Sequence, residues 1–499
     1  MYVLGIDIGT TGTKSMLISE HGKVLTSAYK EYNLITPTGF VEQDARDWWE
    51  TVVSTVRECM KSLPAKDEVR ALSMSTQGGS MVMVDENCEP LDNAITWMDT
   101  RGAKQEAALD QAIGAEKIYL TSGWRLSGTL MATKFIWLRE HKPELFAKAH
   151  KFLTTVDYVN YKLTGRYVID QTNAGITQIF DMNTGAWDPA LLEACGISEA
   201  VLPEVVPSGE VIGNLCAQAA EELGLSTDVV VVSGAHDQYA AATGAGALNP
   251  GDVLLSTGTA WAPLGISAEP MFDTKNFMGV GRHVKEGRYG VLSTVSTAGV
   301  CLEWLRKNFG RQKIAEGTLR LDSFAEIDME ASKRRENTEG LFFYPQFGGS
   351  GYPRWNGAAD ASFIGLTLGH DFYDLALAVM EGVAFEMKQI LDGYASNGLE
   401  AKSLRLVGGA SKSPLWTEII SNVTGLPITR FKEPNIACIG AAALAGKGCG
   451  MFQTLEEASA GMCDTTQYPA PEGALRDYYR EKNERYLKKL EFVEKVYQI

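Results

Sequence analysis

The stretch that decides the predicted fold is VVVVSGAHDQYAAATGAGALNPGDVLLSTGT, residues Val229–Thr259 of a 499-residue chain. Its first five residues form an apolar, β-branched run before Gly234, which predicts a strand buried on both faces and then a sharp turn. Residues 239–246 predict a helix of small residues whose first N–H groups point at that turn. Asp237 and Gln238 are therefore expected at the tip of a buried strand, where an anionic or phosphorylated ligand can bind.

Two hairpins with polar tips are predicted. Residues 253–259 form a strand that ends in Ser256-Thr-Gly258-Thr259, and residues 1–8 form one that leads into Gly9-Thr10-Thr11-Gly12-Thr13-Lys14. Glycine lets N–H groups approach phosphate oxygens and threonine adds hydroxyl donors, so each loop can cradle phosphates. The first loop is not a Walker A loop, and a simple tight turn is its alternative role. Asp7 at its edge is the predicted Mg²⁺ ligand, directly or through water, because hard cations choose oxygen ligands.

The composition excludes several classes of protein. The chain has 62 acidic and 46 basic residues, a formal charge of -16, and no long Lys/Arg cluster, which argues against a nucleic-acid partner. No run reaches the roughly 18 apolar residues of a membrane span, so we expect a cytoplasmic protein. The eight cysteines are scattered without a C-x-x-C pair, and we expect reduced thiols instead of disulfides or zinc ligands.

The first half of the chain also contains a predicted site for a small polar ligand. Gln77-Gly78-Gly79 follows the strand predicted for residues 69–75, and the two glycines leave room for such a ligand or form an unoccupied bend. Trp97 and Asp99 suit a polyhydroxylated ligand, because an aromatic face packs on sugar C–H groups and a carboxylate fixes hydroxyls. A purely structural pair between Asp99 and Arg101 is the alternative.

The second half repeats the pattern of the first. A helix is predicted directly after Gly299, and a strand over residues 403–407 ends in the run from Gly408 to Ser413 before another helix. Two homologous α/β lobes that face each other across a cleft follow from this repeat. A nucleotide would lie between the two phosphate hairpins, with residues 408–413 near its base and ribose and Asp237 at the γ-phosphate end.

Three segments carry a resemblance to a known family. Residues 361–366, Ala-Ser-Phe-Ile-Gly-Leu, and residues 374–381, Asp-Leu-Ala-Leu-Ala-Val-Met-Glu, match the second sequence signature of the FGGY carbohydrate kinases. Residues 134–141, Lys-Phe-Ile-Trp-Leu-Arg-Glu-His, match the first signature, although Met131 stands where the family prefers Pro, Ser or Thr. The chain thus resembles this family, whose members have two ribonuclease-H-like lobes of the actin-like ATPase type, over residues 1–450.

The resemblance implies domains, cofactors and residue roles. The expected domains are an N-terminal lobe over residues 1–247, a nucleotide-binding C-terminal lobe over 248–450 and a helical extension over 451–499. The family implies ATP and Mg²⁺ as cofactors and Asp237 as the catalytic base. Together with the loops described above, it gives the predicted nucleotide-binding set Gly9, Thr10, Thr11, Lys14, Gly258, Thr259, Gly299, Glu303, Gly408, Gly409 and Ser413. The predicted acceptor-binding set is Gln77, Gly78, Gly79, Trp97, Asp99, Asp237 and Gln238.

The identity of the acceptor rests on departures from the family. Xylulose kinases of this family typically carry Gln-Met-His where this chain has Gln77-Gly78-Gly79, and glycerol kinases carry Arg-Glu in place of the two glycines. We therefore expect a kinase for a linear sugar, first a ketopentose such as xylulose, with gluconate or a polyol as the alternative. His236 is expected to be a neutral histidine packed under the loop, with a second acid/base role as its alternative.

The sequence argues against two other classes of protein. An actin-like ATPase without a sugar acceptor is argued against by the matched signatures and the acceptor-binding set. A dinucleotide-binding oxidoreductase is argued against because no predicted strand leads into G-x-G-x-x-G. The expected partner is a small sugar, polyol or sugar acid, without nucleic acid or membrane, and a homodimer is left open.

Overall fold

The computed structural model describes residues 1–63, 68–310, 312–315 and 318–496. Its strands are β1 Tyr2–Ile8, β2 Gly12–Ser19, β3 Val24–Glu31, β4 Glu42–Gln43, β5 Val69–Thr76, β6 Met81–Val84, β7 Ala94–Ile95, β8 Lys151–Thr154, β9 Val168–Asp170, β10 Phe180–Asp181, β11 Ala186–Trp187, β12 Glu204–Val206, β13 Val211–Asn214, β14 Val230–Val232, β15 Ala235–His236, β16 Asp252–Thr257, β17 Trp261–Ser267, β18 Gly279–Arg282, β19 Tyr289–Leu292, β20 Gln312–Ala315, β21 Thr318–Leu321, β22 Phe342–Tyr344, β23 Ser362–Ile364, β24 Ser403–Gly408, β25 Ile428–Phe431 and β26 Thr465–Tyr468.

The helices that alternate with these strands are α1 Ala45–Met60, α2 Glu106–Ile113, α3 Ala115–Ser122, α4 Met131–His141, α5 Pro143–Lys148, α6 Thr155–Thr164, α7 Gln171–Gly175, α8 Pro189–Cys195, α9 Ala217–Leu223, α10 Asp237–Gly244, α11 Gly299–Phe309, α12 Phe324–Ala331, α13 Phe372–Ser396, α14 Pro414–Thr424, α15 Ile436–Gly448, α16 Leu455–Met462 and α17 Ala474–Val496. Within the described ranges, none of these helices is long and apolar enough to cross a membrane.

The chain forms two compact units, each built from separated stretches of sequence. The first unit contains Met1–Asn249, Ser267–Gly290 and Asn435–Cys463. The second contains Pro250–Ile266, Val291–Pro434 and the residues from 464 onward.

The first unit is built on a sheet with the strand order β13-β14-β5-β1-β2-β3. Strand β1 pairs antiparallel with β2, which confirms the predicted hairpin, and parallel with β5. Strands β14 and β15 also run parallel to β5. Gly234 lies between them, and a Cβ there would come within 2.1 Å of the Met74 carbonyl oxygen. The close approach of the chain to β5 explains the glycine at this turn.

The second unit repeats this order. Its strands β17, β16, β24, β25 and β26 are neighbours in that sequence, with an antiparallel β16–β17 hairpin followed by a parallel partner, β24. Strand β25 extends the parallel part of the sheet. The mixed α/β fold with two domains is therefore confirmed.

Helix α15 is a close-packed element of the first unit. It consists largely of alanine and glycine, and its residues from Cys438 to Ala445 pack in a core cluster with Val3, Met16 and Val232 of the sheet. A Cβ on Gly5 of β1 would lie 2.0 Å from the Cys438 carbonyl oxygen, and one on Gly440 would lie 1.8 Å from the Ala240 carbonyl oxygen. Glycines thus let α15 approach both β1 and α10 at backbone distance.

Candidate active site

The predicted catalytic and metal residues of the first unit meet at one edge of its sheet. In the parallel pairing of β1 and β5, Asp7 lies opposite Ser75, and in that of β15 and β5, His236 lies opposite Thr76. Because parallel strands end at the same edge, Asp7, Gln77 and Asp237 come together although they are far apart in sequence. This edge is where ligands bind in open α/β sheets.

Asp237 is the first residue of α10, and its side chain is 38 % exposed. The N-cap position before it is held by His236, whose backbone N–H donates to the hydroxyl of Thr172 at 2.8 Å. The Asp237 Oδ1 atom lies 3.3 Å from His236 Nε2. The carboxylate is therefore accessible and fixed at the start of a helix, where the helix dipole favours its negative charge.

Asp7 has a different environment from Asp237. Its Oδ1 atom accepts a hydrogen bond from the Ser75 hydroxyl at 2.6 Å. Burial raises the pKa of Asp7 to about 6, and the charge of Asp237 adds to that rise, whereas Ser75 and Lys14 oppose it. Two neighbouring carboxylates form a donor set that suits a hard divalent cation, so these residues fit Mg²⁺.

Within the described residues, no group of three or more His, Cys, Asp or Glu side chains could hold a metal by itself. A Mg²⁺ ion held by Asp7 and Asp237 would therefore need further oxygen ligands from water or from a bound ligand. That is the usual way in which phosphoryl-transfer enzymes bind this ion.

The first hairpin loop is held from behind by side chains. The Gly9 carbonyl oxygen accepts from the Tyr32 hydroxyl, and the Thr10 carbonyl oxygen accepts from Gln43 Nε2 at 2.6 Å. The Thr10 hydroxyl accepts from Trp97 Nε1 at 3.0 Å. The exposed Thr11 at the tip is left to face a ligand.

Two residues of this hairpin have mainly structural contacts. A Cβ on Gly12 would lie 2.6 Å from the Lys30 carbonyl oxygen, so its glycine is explained by the pairing of β2 with β3. The Lys14 ammonium donates to Asn435 Oδ1 at 2.5 Å and lies 5.3 Å from the centre of the Tyr29 ring. Lys14 is nevertheless close enough to Asp7 to lower its pKa.

The segment Gln77-Gly78-Gly79 forms a second part of this edge. Gln77 is 2 % exposed, its backbone N–H donates to the Ile8 carbonyl oxygen, and its Nε2 donates to Gln43 Oε1 at 2.8 Å. Gly79 has a φ of +74°, which few residues other than glycine adopt. A Cβ on Gly78 would lie 2.4 Å from His236 Cδ2, so the imidazole occupies the space of a side chain there.

Three buried polar atoms at this edge have no hydrogen-bond partner among the described residues. They are Gln77 Oε1, His236 Nδ1 and Gln238 Oε1. Buried polar atoms in proteins are nearly always paired, and such a cluster marks a place where a ligand or ordered water binds. Gln77 and Gln238 belong to the predicted acceptor-binding set, and His236 is the third residue of the cluster. Its contact with Gly78 agrees with the predicted packing under the loop.

Asp99 and Arg101 form the structural pair that was the alternative at this position. Arg101 Nε donates to Asp99 Oδ1 at 2.8 Å, and Arg101 Nη2 donates to Asp99 Oδ2 and to Glu42. Burial would raise the pKa of Asp99, but hydrogen bonds from Arg101 and the Val41 N–H outweigh it and lower that pKa. Both carboxylate oxygens are thus engaged inside the protein, whereas the neighbouring Trp97 is 45 % exposed.

Lys134 is a buried residue next to the segment that carries Trp97 and Asp99. Its Nζ donates to the Thr96 carbonyl oxygen at 2.7 Å, and the residue is completely buried. Burial lowers the pKa of Lys134 to about 7, against the opposing charge of Asp99. The signature residue Lys134 therefore fixes the backbone immediately before Trp97.

Six of the seven predicted nucleotide residues of the second unit line one cavity of about 1100 Å³. Gly258 and Thr259 come from the β16–β17 hairpin, Gly299 and Glu303 from α11, and Gly409 and Ser413 from the segment between β24 and α14. Trp261, Phe324, Met329 and Trp416 supply its apolar surface. Small glycine-rich backbone next to an aromatic surface suits a nucleotide, whose phosphates need N–H donors and whose base needs a flat apolar contact.

Two members of the predicted nucleotide set differ from the rest. Gly408 does not line the cavity; it has a φ of +90°, and a Cβ there would lie 2.4 Å from the Thr257 carbonyl oxygen. Its glycine serves the tight turn after β24. The hydrogen bond from Arg306 lowers the pKa of Glu303, whose carboxylate also pairs with Lys307.

Several residues of these sites were not predicted from the sequence. They are Gln43, Lys134, Asp328 and the two tryptophans Trp261 and Trp416. Asp328 accepts from the Ser413 hydroxyl at 2.5 Å inside the cavity of the second unit. The available signals were weak: Lys134 is the one charged residue in the buried part of α4, residues 131–138, and Gln43 is a polar residue directly before a capped helix.

Comparison with known proteins assigns both halves of the chain. Residues 2–244 match the N-terminal domain of the FGGY family of carbohydrate kinases, and residues 253–449 match its C-terminal domain. A xylulose kinase of Staphylococcus epidermidis is 28% identical over 483 residues, covering 96% of this chain and 94% of that protein. A gluconokinase of Bacillus subtilis is 26% identical, covering 96% and 93%. The crystal structure of a ligand-bound xylulose kinase from Lactobacillus acidophilus superimposes with a TM-score of 0.90 at 26% identity, covering 100% of this chain and 99% of the other.

Proposed function

The chain belongs to the FGGY family of carbohydrate kinases and is an ATP-dependent sugar kinase, and from this premise we propose that its acceptor is a neutral linear sugar of four to six carbons. Xylulose is the first candidate. The observation that carries the proposal is the cluster of unpaired polar atoms on Gln77, His236 and Gln238 beside the accessible carboxylate of Asp237.

Asp237 is the proposed general base. Phosphoryl transfer needs an alcohol held in line with the γ-phosphate, compensation of charge, and removal of one proton. A carboxylate at the start of α10, open to solvent and next to the proposed acceptor ligands, can take that proton late in a loose transition state. Asp7 is the proposed Mg²⁺ ligand, and the ion would neutralise phosphate charge when bound.

Each unit by itself offers groups that we propose for nucleotide contacts. In the first unit the loop Gly9–Lys14 offers Thr10 and Thr11 to phosphate oxygens. In the second, Gly258 and Thr259 offer backbone donors, and the aromatic surface of the 1100 Å³ cavity takes the base.

Charge supports a neutral acceptor over a sugar acid. A carboxylate on the substrate would call for a cation with free donors. Arg101 donates to Asp99 and Glu42, the Lys134 ammonium donates to a backbone carbonyl, and Lys14 donates to Asn435. Each of these cations is already engaged, whereas two of the three unpaired atoms at the site are neutral amide oxygens.

The departure at Gly78-Gly79 also fits a ketose. Xylulose kinases resembling this chain carry an imidazole at the position of Gly79. Here the imidazole of His236 lies over Gly78, and its Nδ1 is buried without a partner in the described part of the chain. We infer that His236 supplies the hydrogen bond that the usual histidine would make. Losing such a bond would cost on the order of 1 to 3 kcal/mol of acceptor recognition.

Gluconate is the second candidate. A gluconokinase of Bacillus subtilis is 26% identical to this chain, and a gluconate kinase from Lactobacillus acidophilus superimposes with a TM-score of 0.88 at 27% identity. A gluconate kinase would need a cation released from the pairs described above.

The test is a coupled ADP-release screen over ketopentoses, polyols and aldonates. We expect a ketopentose to give the highest kcat/KM. We also expect Asp237→Asn to lower turnover by roughly 10²- to 10⁴-fold, with the Kd for ATP changed only a few-fold as the control. Glycerol or gluconate as the best acceptor would overturn the substrate proposal. An Asp237→Asn variant with more than about a tenth of wild-type turnover would overturn the general-base role.

A further inference from the structure

Gln43 connects the proposed acceptor site to the first phosphate loop. It is 1 % exposed and is the second residue of the short strand β4, which pairs with β7. Its Nε2 donates to the Thr10 carbonyl oxygen at 2.6 Å. Its Oε1 accepts from Gln77 Nε2 at 2.8 Å and from Trp48 Nε1 at 3.2 Å. One buried side chain therefore touches both sites of the first unit.

The direction of these hydrogen bonds follows from chemistry. The indole of Trp48 can only donate, so the atom facing it must be the amide oxygen of Gln43. The Thr10 carbonyl can only accept, so the amide nitrogen of Gln43 must face the loop. Gln77 must then turn its own nitrogen toward Gln43, which leaves Gln77 Oε1 as the unpaired, buried acceptor at the edge of the sheet.

The result is an ordered chain of donors and acceptors. An acceptor hydroxyl would donate to Gln77 Oε1, Gln77 donates to Gln43, and Gln43 donates to the carbonyl oxygen of Thr10. Hydrogen bonds in such a chain polarise and strengthen one another in a low-dielectric interior. A bond formed at the acceptor end would thus tighten the hold on the loop.

We propose that Gln43 is a positioning residue that couples acceptor binding to ATP binding through this chain; the inference rests on the proposed function of the two sites. A hydrogen bond from a sugar hydroxyl to Gln77 Oε1 fixes the Gln77 amide. This in turn fixes the Gln43 amide, which holds the Thr10 carbonyl group in place. The loop N–H groups are then ordered for the phosphates. In the absence of a sugar the loop is less ordered, and ATP binds more weakly.

The experiment measures the Kd of a non-hydrolysable ATP analogue with Mg²⁺, with and without a saturating concentration of the best sugar from the screen. The ratio of the two Kd values is the coupling factor, expected to be about fivefold or more in the wild type. Gln43→Met keeps the length of the side chain and removes its hydrogen bonds. We expect it to bring the ratio to about one and to raise the Kd for the analogue even without sugar.

Two variants separate positioning from general damage. Gln77→Met breaks the chain at its other end, so its ratio should also fall to about one while the sugar-free Kd stays near wild type. Trp48→Phe removes the hydrogen bond to Gln43 and part of a buried indole that packs on Tyr158, but it leaves the chain intact. Its ratio should therefore match the wild type even if the protein is less stable. If Gln43→Met does not fold, the Gln77→Met and Trp48→Phe pair decides the question.

The outcomes separate this inference from the proposed function. A wild-type protein that phosphorylates no linear sugar contradicts the proposed function. A wild type that turns over a sugar but has a ratio near one overturns the coupling, as does a wild-type ratio in Gln43→Met or Gln77→Met. An equal loss of the ratio in Trp48→Phe overturns it too, because general loosening would then be sufficient.

Discussion

Substituting Gly440 by alanine tests whether the packing of α15 positions the catalytic helix. A Cβ on Gly440 would lie 1.8 Å from the Ala240 carbonyl oxygen and 3.0 Å from the Gly244 nitrogen, both backbone atoms of α10. A carbon–oxygen contact requires about 3.3 Å, so α10 and α15 would have to separate by about 1.5 Å. On its other side α15 packs as closely on β1, where a Cβ on Gly5 would lie 2.0 Å from the Cys438 carbonyl oxygen. This contact prevents α15 from moving freely away from α10.

Helix α10 starts with Asp237, so this separation moves the proposed base. Misplacement of a catalytic group by about 1 Å can cost around 100-fold in rate, and we expect Gly440→Ala to lower kcat by about that factor. Overpacking of this kind costs about 1 to 3 kcal/mol or more, only partly offset by the roughly 1 kcal/mol helix preference for alanine. The free energy of unfolding should fall by about 2 kcal/mol.

The assay is ADP release with the best sugar, on protein shown to be folded, together with urea unfolding. Gly461→Ala is the matched control, because Gly461 also lies in a helix of the first unit and a Cβ there would meet nothing within 4 Å. It should keep kcat and be equally or slightly more stable. A folded Gly440→Ala protein with kcat within about threefold of wild type would refute the reasoning, since the required shift would then not reach the catalytic residue.

Three further predictions follow from single contacts. Gly258→Val should raise the KM for ATP at least about tenfold, because a side chain there blocks the approach of phosphates to the backbone donors. The melting temperature should change little, because the nearest atom to a Cβ there is 3.7 Å away. A raised KM for the sugar with normal ATP binding would contradict this prediction. The Lys482 ammonium lies 2.6 Å from the buried carboxylate of Glu381, so Lys482→Met leaves that carboxylate without its ion-pair partner. The free energy of unfolding in urea should fall by about 3 to 5 kcal/mol, and Glu381→Leu added to the same chain should restore most of it. Burial lowers the pKa of Lys134 to about 7 from its ordinary 10.5, so the unfolded chain binds more protons between these values and wild-type stability should rise with pH relative to Lys134→Met. Equal pH profiles of unfolding for the two proteins would exclude that pKa.

The sequence by itself predicted the elements whose signal is local. The β1–β2 hairpin and helix α14, which follows the run from Gly408 to Ser413, were correct because apolar periodicity and glycine turns act over a few residues. The two Gly/Thr loops could also be located from the sequence, since each consists of four to six consecutive residues. The resemblance to the FGGY family, carried by residues 134–141, 361–366 and 374–381, was confirmed by the family comparison.

Tertiary structure alone decided which distant residues meet. The alanine-rich segment Asn435–Cys463 follows the second unit in sequence but packs in the first, because its glycines match those of β1 and α10. The parallel pairing of β5 with β15 brings His236 over Gly78, more than 150 residues away. From the sequence, Asp99 could be either a sugar ligand or the partner of Arg101. The tertiary structure shows that Arg101 donates to both of its carboxylate oxygens. Such contacts depend on strand order and helix approach, which the pattern of neighbouring residues does not record.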